Sequence, residues 1–98
     1  MSYKSSIKTV SGKKGPKIFL FTLSTCVWCK KTKALFKDLG VNYSYVDVDL
    51  LEGSNQDEAV NEMGKYSPST SFPTILIDKE VILGFDPEKI NQVLNNGK

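Results

Sequence analysis

Ile18-Phe19-Leu20-Phe21-Thr22-Leu23-Ser24-Thr25-Cys26-Val27-Trp28-Cys29 runs from an apolar stretch through a short polar turn into two cysteines separated by two residues. The ten residues that follow, Lys30-Lys31-Thr32-Lys33-Ala34-Leu35-Phe36-Lys37-Asp38-Leu39, carry their apolar side chains at helical spacing. A strand that gives way to a dithiol and then at once to a helix is the order of a redox motif at a helix start. Unpaired amides and the positive end of the macrodipole favour an anion there, so Cys26 is the natural nucleophile. Cys29, one turn further on, is expected to be the more buried of the two. They are the only two cysteines in the chain.

With 98 residues, 40% of them apolar and 24% charged, the chain fits one globular domain able to bury a single core without disulfide staples or metal. Residues 1–16 read as a polar extension and 17–98 as the domain. The first residues, Met1-Ser2-Tyr3-Lys4, hold no signal-peptide core, and no run approaches the roughly 18 apolar residues of a membrane span. A soluble, cytoplasmic, monomeric protein is therefore expected, in a compartment where a close cysteine pair is more often catalytic or metal-binding than structural. The chain has no His, which removes the usual zinc partner and the usual general base, so no metal ligands are assigned.

Charge is uneven. Residues 1–50 hold nine Lys against three acids and residues 51–98 four Lys against eight, so the half that carries the cysteines is strongly basic. Lys30, Lys31, Lys33 and Lys37 read either as a solvated helix face or as a field that steers acidic protein partners. Without Arg, and without interleaved aromatic and basic residues, neither nucleic acid nor membrane is an expected partner.

Periodicity predicts strands over residues 17–22 and 42–48 around a helix from Val27 to Leu39, closed by Gly40 in a left-handed stop. Ser54 and Asp57 have capping-box spacing, and Ala59, Val60 and Met63 give a second helix to about Lys65. Ser67-Pro68-Ser69-Thr70-Ser71 is a loop. Thr74-Ile75-Leu76-Ile77 and Val81-Ile82-Leu83 form a hairpin around Asp78-Lys79-Glu80. Asp86 caps a last helix with Pro87 at its first position and Ile90, Val93 and Leu94 buried. Tyr43, Tyr45 and Tyr66 are expected half-buried. The order is βαβαββα, and Ile7, Thr9 and Val10 could add an N-terminal strand.

That order, the Cys26-Val27-Trp28-Cys29 helix start and Phe72-Pro73-Thr74 before the third strand together resemble the glutaredoxin family of the thioredoxin superfamily. The resemblance covers about residues 17 to 95. It implies an α/β thioredoxin-like fold, a central mixed four-stranded sheet flanked by three helices. Phe72-Pro73 taken alone reads as a plain trans turn; the resemblance implies a cis bond whose backbone pairs with a bound peptide or glutathione. It implies thiol-disulfide oxidoreductase activity on protein disulfides, with Cys26 attacking and Cys29 resolving. Thr25, Val27, Trp28, Phe72, Pro73, Gly84, Phe85 and Asp86 would form the substrate side.

Three departures bear on the electron donor. Val27 and Trp28 replace the family's usual Pro and Tyr, Leu23 stands where a glutathione-binding Lys is common, and Leu83-Gly84-Phe85-Asp86-Pro87 keeps one Gly and one Asp of a Gly-Gly-x-Asp-Asp turn. The Gly-Phe-x-Pro form is similar to redoxins that take electrons from a thioredoxin-reductase-type enzyme. A reductase of that type or a ferredoxin-linked one is thus the expected donor, ahead of glutathione, with no tightly bound cofactor. The alternative is a dimer that holds a [2Fe-2S] cluster through the nucleophile and glutathione.

Overall fold

Four of the five residues of β2 (Ile18–Thr22) are buried, which leaves this strand no place but the middle of a sheet. The computed structural model describes residues 6–13, 15–67 and 72–96. On one side of β2 lies β3 (Tyr43–Asp47), parallel, with Phe19 opposite Ser44 and Thr22 opposite Asp47. On the other lies β4 (Thr74–Ile77), antiparallel, with Phe21 opposite Thr74. β5 (Glu80–Leu83) continues the hairpin from β4 through a tight turn at Asp78, whose φ is 51°. β1 (Lys8–Val10) pairs antiparallel with β3, so the sheet has five strands in the order β1-β3-β2-β4-β5.

The predicted four-stranded mixed sheet is present, and part of the polar extension joins it as an edge. That edge is three residues long and carries Lys8, while the other edge, β5, begins with Glu80.

Three helices cover the two faces. Leu20 and Ile18 turn to one face with Phe36 of α1 (Val27–Leu39) and Ile90 of α3 (Pro87–Asn96). Phe21 turns to the other with Val46 and with Ala59 and Met63 of α2 (Ser54–Gly64). Alternation along β2 thus feeds both halves of the core. A 3₁₀ turn, Val48–Leu50, leads from β3 toward α2.

Helix ends follow local chemistry. α1 stops at Gly40, whose φ of 70° lets its N–H return to the carbonyls of Lys37 and Phe36. α3 starts on Asp86, whose Oδ1 accepts the Lys89 N–H at 3.1 Å. The capping box expected at Ser54 is not made: the N-cap is Gly53 at φ 56°, with no side-chain cap, and Ser54 is already the first helical residue. Tyr66 lies past the end of α2 and is exposed, whereas Tyr43 is buried in the core. From residue 68 to 71 the expected loop lies outside the described residues, as does Lys14 of the basic turn.

Gly12 and Lys13 run along the connection from α1 to β3. The Lys13 N–H donates to the Gly40 carbonyl at 2.7 Å, and the Gly12 N–H to Asn42 Oδ1. A Cβ at Gly12 would lie 2.6 Å from the Gly40 carbonyl oxygen and 2.7 Å from that of Val41, backbone atoms that cannot swing aside. Gly12→Ala is expected to cost about 1–3 kcal/mol through overpacking, read from the midpoint of denaturant unfolding.

Candidate active site

Where β2 hands the chain to α1, the Cys26 N–H closes a turn on the Leu23 carbonyl at 3.2 Å. Cys26 is the N-cap of α1, in extended conformation at φ −81° and ψ 120°. Its sulfur accepts the Cys29 N–H at 3.2 Å, taking the place that a Ser or Asp oxygen fills in an ordinary cap. That amide lies in the first turn of a helix, where the backbone presents its positive end. Both cysteines are free thiols; Cys26 is partly exposed and Cys29 fully buried.

Burial, first, pushes the Cys29 thiol up to about 12, and its contact with Cys26 adds to the rise. The Leu23 backbone and the positive charge of Lys33 act in the opposite sense. One sulfur therefore faces solvent with an amide behind it, while the other stays protonated beneath the helix. The two thiols therefore differ in their access to solvent.

Around the dithiol, the residues expected from the sequence meet at one end of the sheet. Thr25 and Val27 are exposed on either side of Cys26. The Phe72-Pro73 bond is cis. Because Phe21 pairs with Thr74, the register places Pro73 and Phe72 alongside the chain that leads from β2 to Cys26. Gly84, at φ 82°, donates its N–H to the Pro73 carbonyl at 2.8 Å and ties the turn after β5 to the same end.

Phe85 then stacks on Trp28 with ring centroids 5.7 Å apart and planes 26° from parallel. Trp28 remains 54% exposed, so it is an outward wall and not a core plug. Asp86 caps α3, as described above. A cavity of about 730 Å³ lined by Pro16, Asp78, Lys79 and Lys89 lies at the far end of β4 and takes in neither cysteine.

Three features of this end were not expected from the sequence. Lys31 Nζ lies 4.9 Å from the centroid of the Trp28 ring. Asp49 receives both the backbone N–H of Ser24, at 2.8 Å, and its hydroxyl, at 2.5 Å, pinning the turn before Cys26. Burial works against the charge on Asp49, but the Ser24 hydrogen bonds outweigh it and hold the carboxyl below its ordinary value. Asp47 takes the Thr22 hydroxyl at 2.6 Å and Lys33 Nζ at 2.9 Å. The alternation Val46-Asp47-Val48-Asp49 at the end of a buried strand was the available signal.

A family model described as Glutaredoxin matches residues 18–82. The crystal structure of the glutaredoxin from Methanosarcina mazei Go1 is 49% identical, with a TM-score of 0.82 over 91% of this chain and 87% of that one. Methanoredoxin of Methanosarcina acetivorans is 46% identical, with a TM-score of 0.80 over 85% of this chain and 88% of that one. A glutaredoxin-like 8.6 kDa protein in a rubredoxin operon of Clostridium pasteurianum is 34% identical over 77 residues, 79% of this chain and 96% of the relative. The chain spans 40% of the length of two mitochondrial glutaredoxins that it also matches.

Two measurements probe this geometry. Asp49→Asn removes a carboxylate whose folded value is lowered, so the stabilisation lost is full above the ordinary carboxylate range. The stability gap from the unaltered protein should shrink as pH falls through the lowered Asp49 value, read from unfolding midpoints across an acid series. Phe85→Ala removes the ring stacked on the only tryptophan in the chain. Trp28 emission should shift to the red, with a loss of about 0.5–1.5 kcal/mol beyond that from buried area.

Proposed function

The chain belongs to the glutaredoxin family of the thioredoxin superfamily and is a thiol-disulfide oxidoreductase, and from that premise we propose a dithiol cycle that reduces disulfides in proteins. The Cys26 thiolate attacks a substrate disulfide, one sulfur of which leaves as a thiolate while the other joins Cys26 in a mixed disulfide. Cys29 then attacks Cys26 Sγ, the second substrate sulfur leaves, and the Cys26–Cys29 disulfide closes. Two electrons pass from the dithiol to the substrate. An external donor returns them.

The observation that carries this reading is the 3.2 Å hydrogen bond from the Cys29 N–H to Cys26 Sγ, together with the full burial of Cys29. The same bond holds the two residues one helical turn apart on the same end of α1. Thr25, Val27 and Trp28 flank the exposed sulfur, and the backbone at Phe72-Pro73 with Gly84, Phe85 and Asp86 forms the rest of the substrate side. An open, aromatic-walled surface suits a protein chain laid across it better than a small molecule enclosed in a pocket.

For the donor we propose a reductase of the thioredoxin-reductase or ferredoxin-linked type in preference to glutathione. Leu23 puts an apolar side chain where a cation would meet a glutathione carboxylate, and Pro87 follows Asp86 as the first residue of α3. Among the described residues no group of three His, Cys, Asp or Glu side chains could hold a metal ion. The described residues thus offer Cys26 and the buried Cys29 with no third such side chain grouped beside them, and no step of the cycle is routed through a metal.

Trapping tests the order of attack. Cys29→Ser should accumulate a mixed disulfide with an oxidised protein substrate and Cys26→Ser should not; the reverse pattern would exchange the two roles. In the same preparation, oxidised protein should be reduced quickly by a flavin or ferredoxin-linked reductase system and slowly by glutathione. Fast reduction by glutathione alone would overturn the assignment of the donor.

A further inference from the structure

Of the four lysines on α1, Lys30, Lys31 and Lys37 are exposed, and Lys33 alone is drawn partly under the helix. Its side chain is 20% exposed and that of its partner Asp47 12%. Lys33 Nζ lies 2.9 Å from Asp47 Oδ1 and 4.1 Å from the centroid of the Tyr45 ring. Asp47 is held in turn by the hydroxyl of Thr22, which is fully buried and faces it in the sheet register. Thr22 is the last residue of β2, four before Cys26.

Lys33 is also four residues after Cys29, so the two share one face of α1. Helical side chains lean toward the N-terminus, and Lys33 therefore covers the turn that contains Cys29. A cation anchored from β3 thus shares the helix face of the buried thiol, and its charge is among the influences that act on it. The other charged groups at this end are engaged or outward: Asp49 with Ser24, Asp86 at the start of α3, Lys31 over Trp28, and Lys30 in solvent.

We propose that Lys33 is a positioning residue for the resolving half of the cycle, its ammonium holding the Cys29 sulfur as an anion while it attacks Cys26. The inference rests on the dithiol cycle proposed above. Cys29 S–H gives up its proton, its sulfur forms a bond to Cys26 Sγ, and the bond from Cys26 Sγ to the substrate sulfur breaks. The departing thiolate takes up that proton through solvent. Asp47 sets how much of that charge Cys29 feels, because its carboxylate, 2.9 Å away, offsets the same ammonium. The buried position of Cys29, which raises its proton affinity, makes such a cation matter.

The two partners should therefore act with opposite sign. A chromogenic aryl disulfide releases one coloured thiolate on attack by Cys26 and a second on resolution by Cys29, so stopped-flow absorbance separates the steps. In Lys33→Met the second phase should slow about threefold for each unit by which the Cys29 value rises, with the pH midpoint of that phase moved upward. Lys33→Arg should retain the midpoint of the unaltered protein. Asp47→Asn keeps a hydrogen-bond acceptor for Thr22 but frees the ammonium, and should move the midpoint downward and speed the second phase.

An unchanged midpoint in Lys33→Met would overturn the inference. So would an Asp47→Asn midpoint that moved in the same direction as that of Lys33→Met, which is what a purely structural pair would give. If the unaltered protein formed no mixed disulfide at all, it is the dithiol cycle itself that would fall.

Discussion

A helix must satisfy its first amides, and this one does so with a sulfur. Because Cys26 caps α1, the residue three positions on is Cys29, and the cap bond joins the backbone of one cysteine to the side chain of the other. The link between the two cysteines is thus a by-product of capping a helix with that residue. It also fixes the direction of burial, since the next turn of α1 must face the sheet and takes Cys29 with it.

The start of α1 is in turn set by where β2 ends. Parallel pairing with β3 brings Asp47 and Asp49 to the same end of the sheet, and antiparallel pairing with β4 brings Phe72 and Pro73 there. β5 returns the chain once more and delivers Gly84 and Phe85. Four segments far apart in sequence therefore converge because of strand direction alone. Their hydrogen bonds, from Gly84 to Pro73 and from Ser24 to Asp49, join loops that would otherwise be independent.

Local signals were the legible ones. The bounds of α1 followed from apolar spacing and from Gly40, and the start of α3 from Asp86 and Pro87, because each depends on neighbours within one turn. At α2 the same kind of signal misled: Ser54 and Asp57 have the right spacing, but a glycine at positive φ turns the chain one residue earlier and takes the cap. The gathering of Cys26, Phe72-Pro73 and Gly84-Phe85-Asp86 was legible only because the order of elements resembles a known family; no period in the chain contains it. Lys33 with Asp47 and Ser24 with Asp49 were not legible, since they join side chains 14 and 25 residues apart across elements. A row of lysines on a helix reads as a solvated face whether or not one of them folds under it.

The two outer strands bear on how such a protein can be kept at high concentration. A sheet with open edges is a template for pairing with its own copies, and a redoxin must leave one surface accessible to other chains. Here the edges are three and four residues long and begin with Lys8 and Glu80. Short, charged edges make poor seeds for aggregation, so the protein can expose a sticky aromatic wall at the end of the sheet without its flanks polymerising.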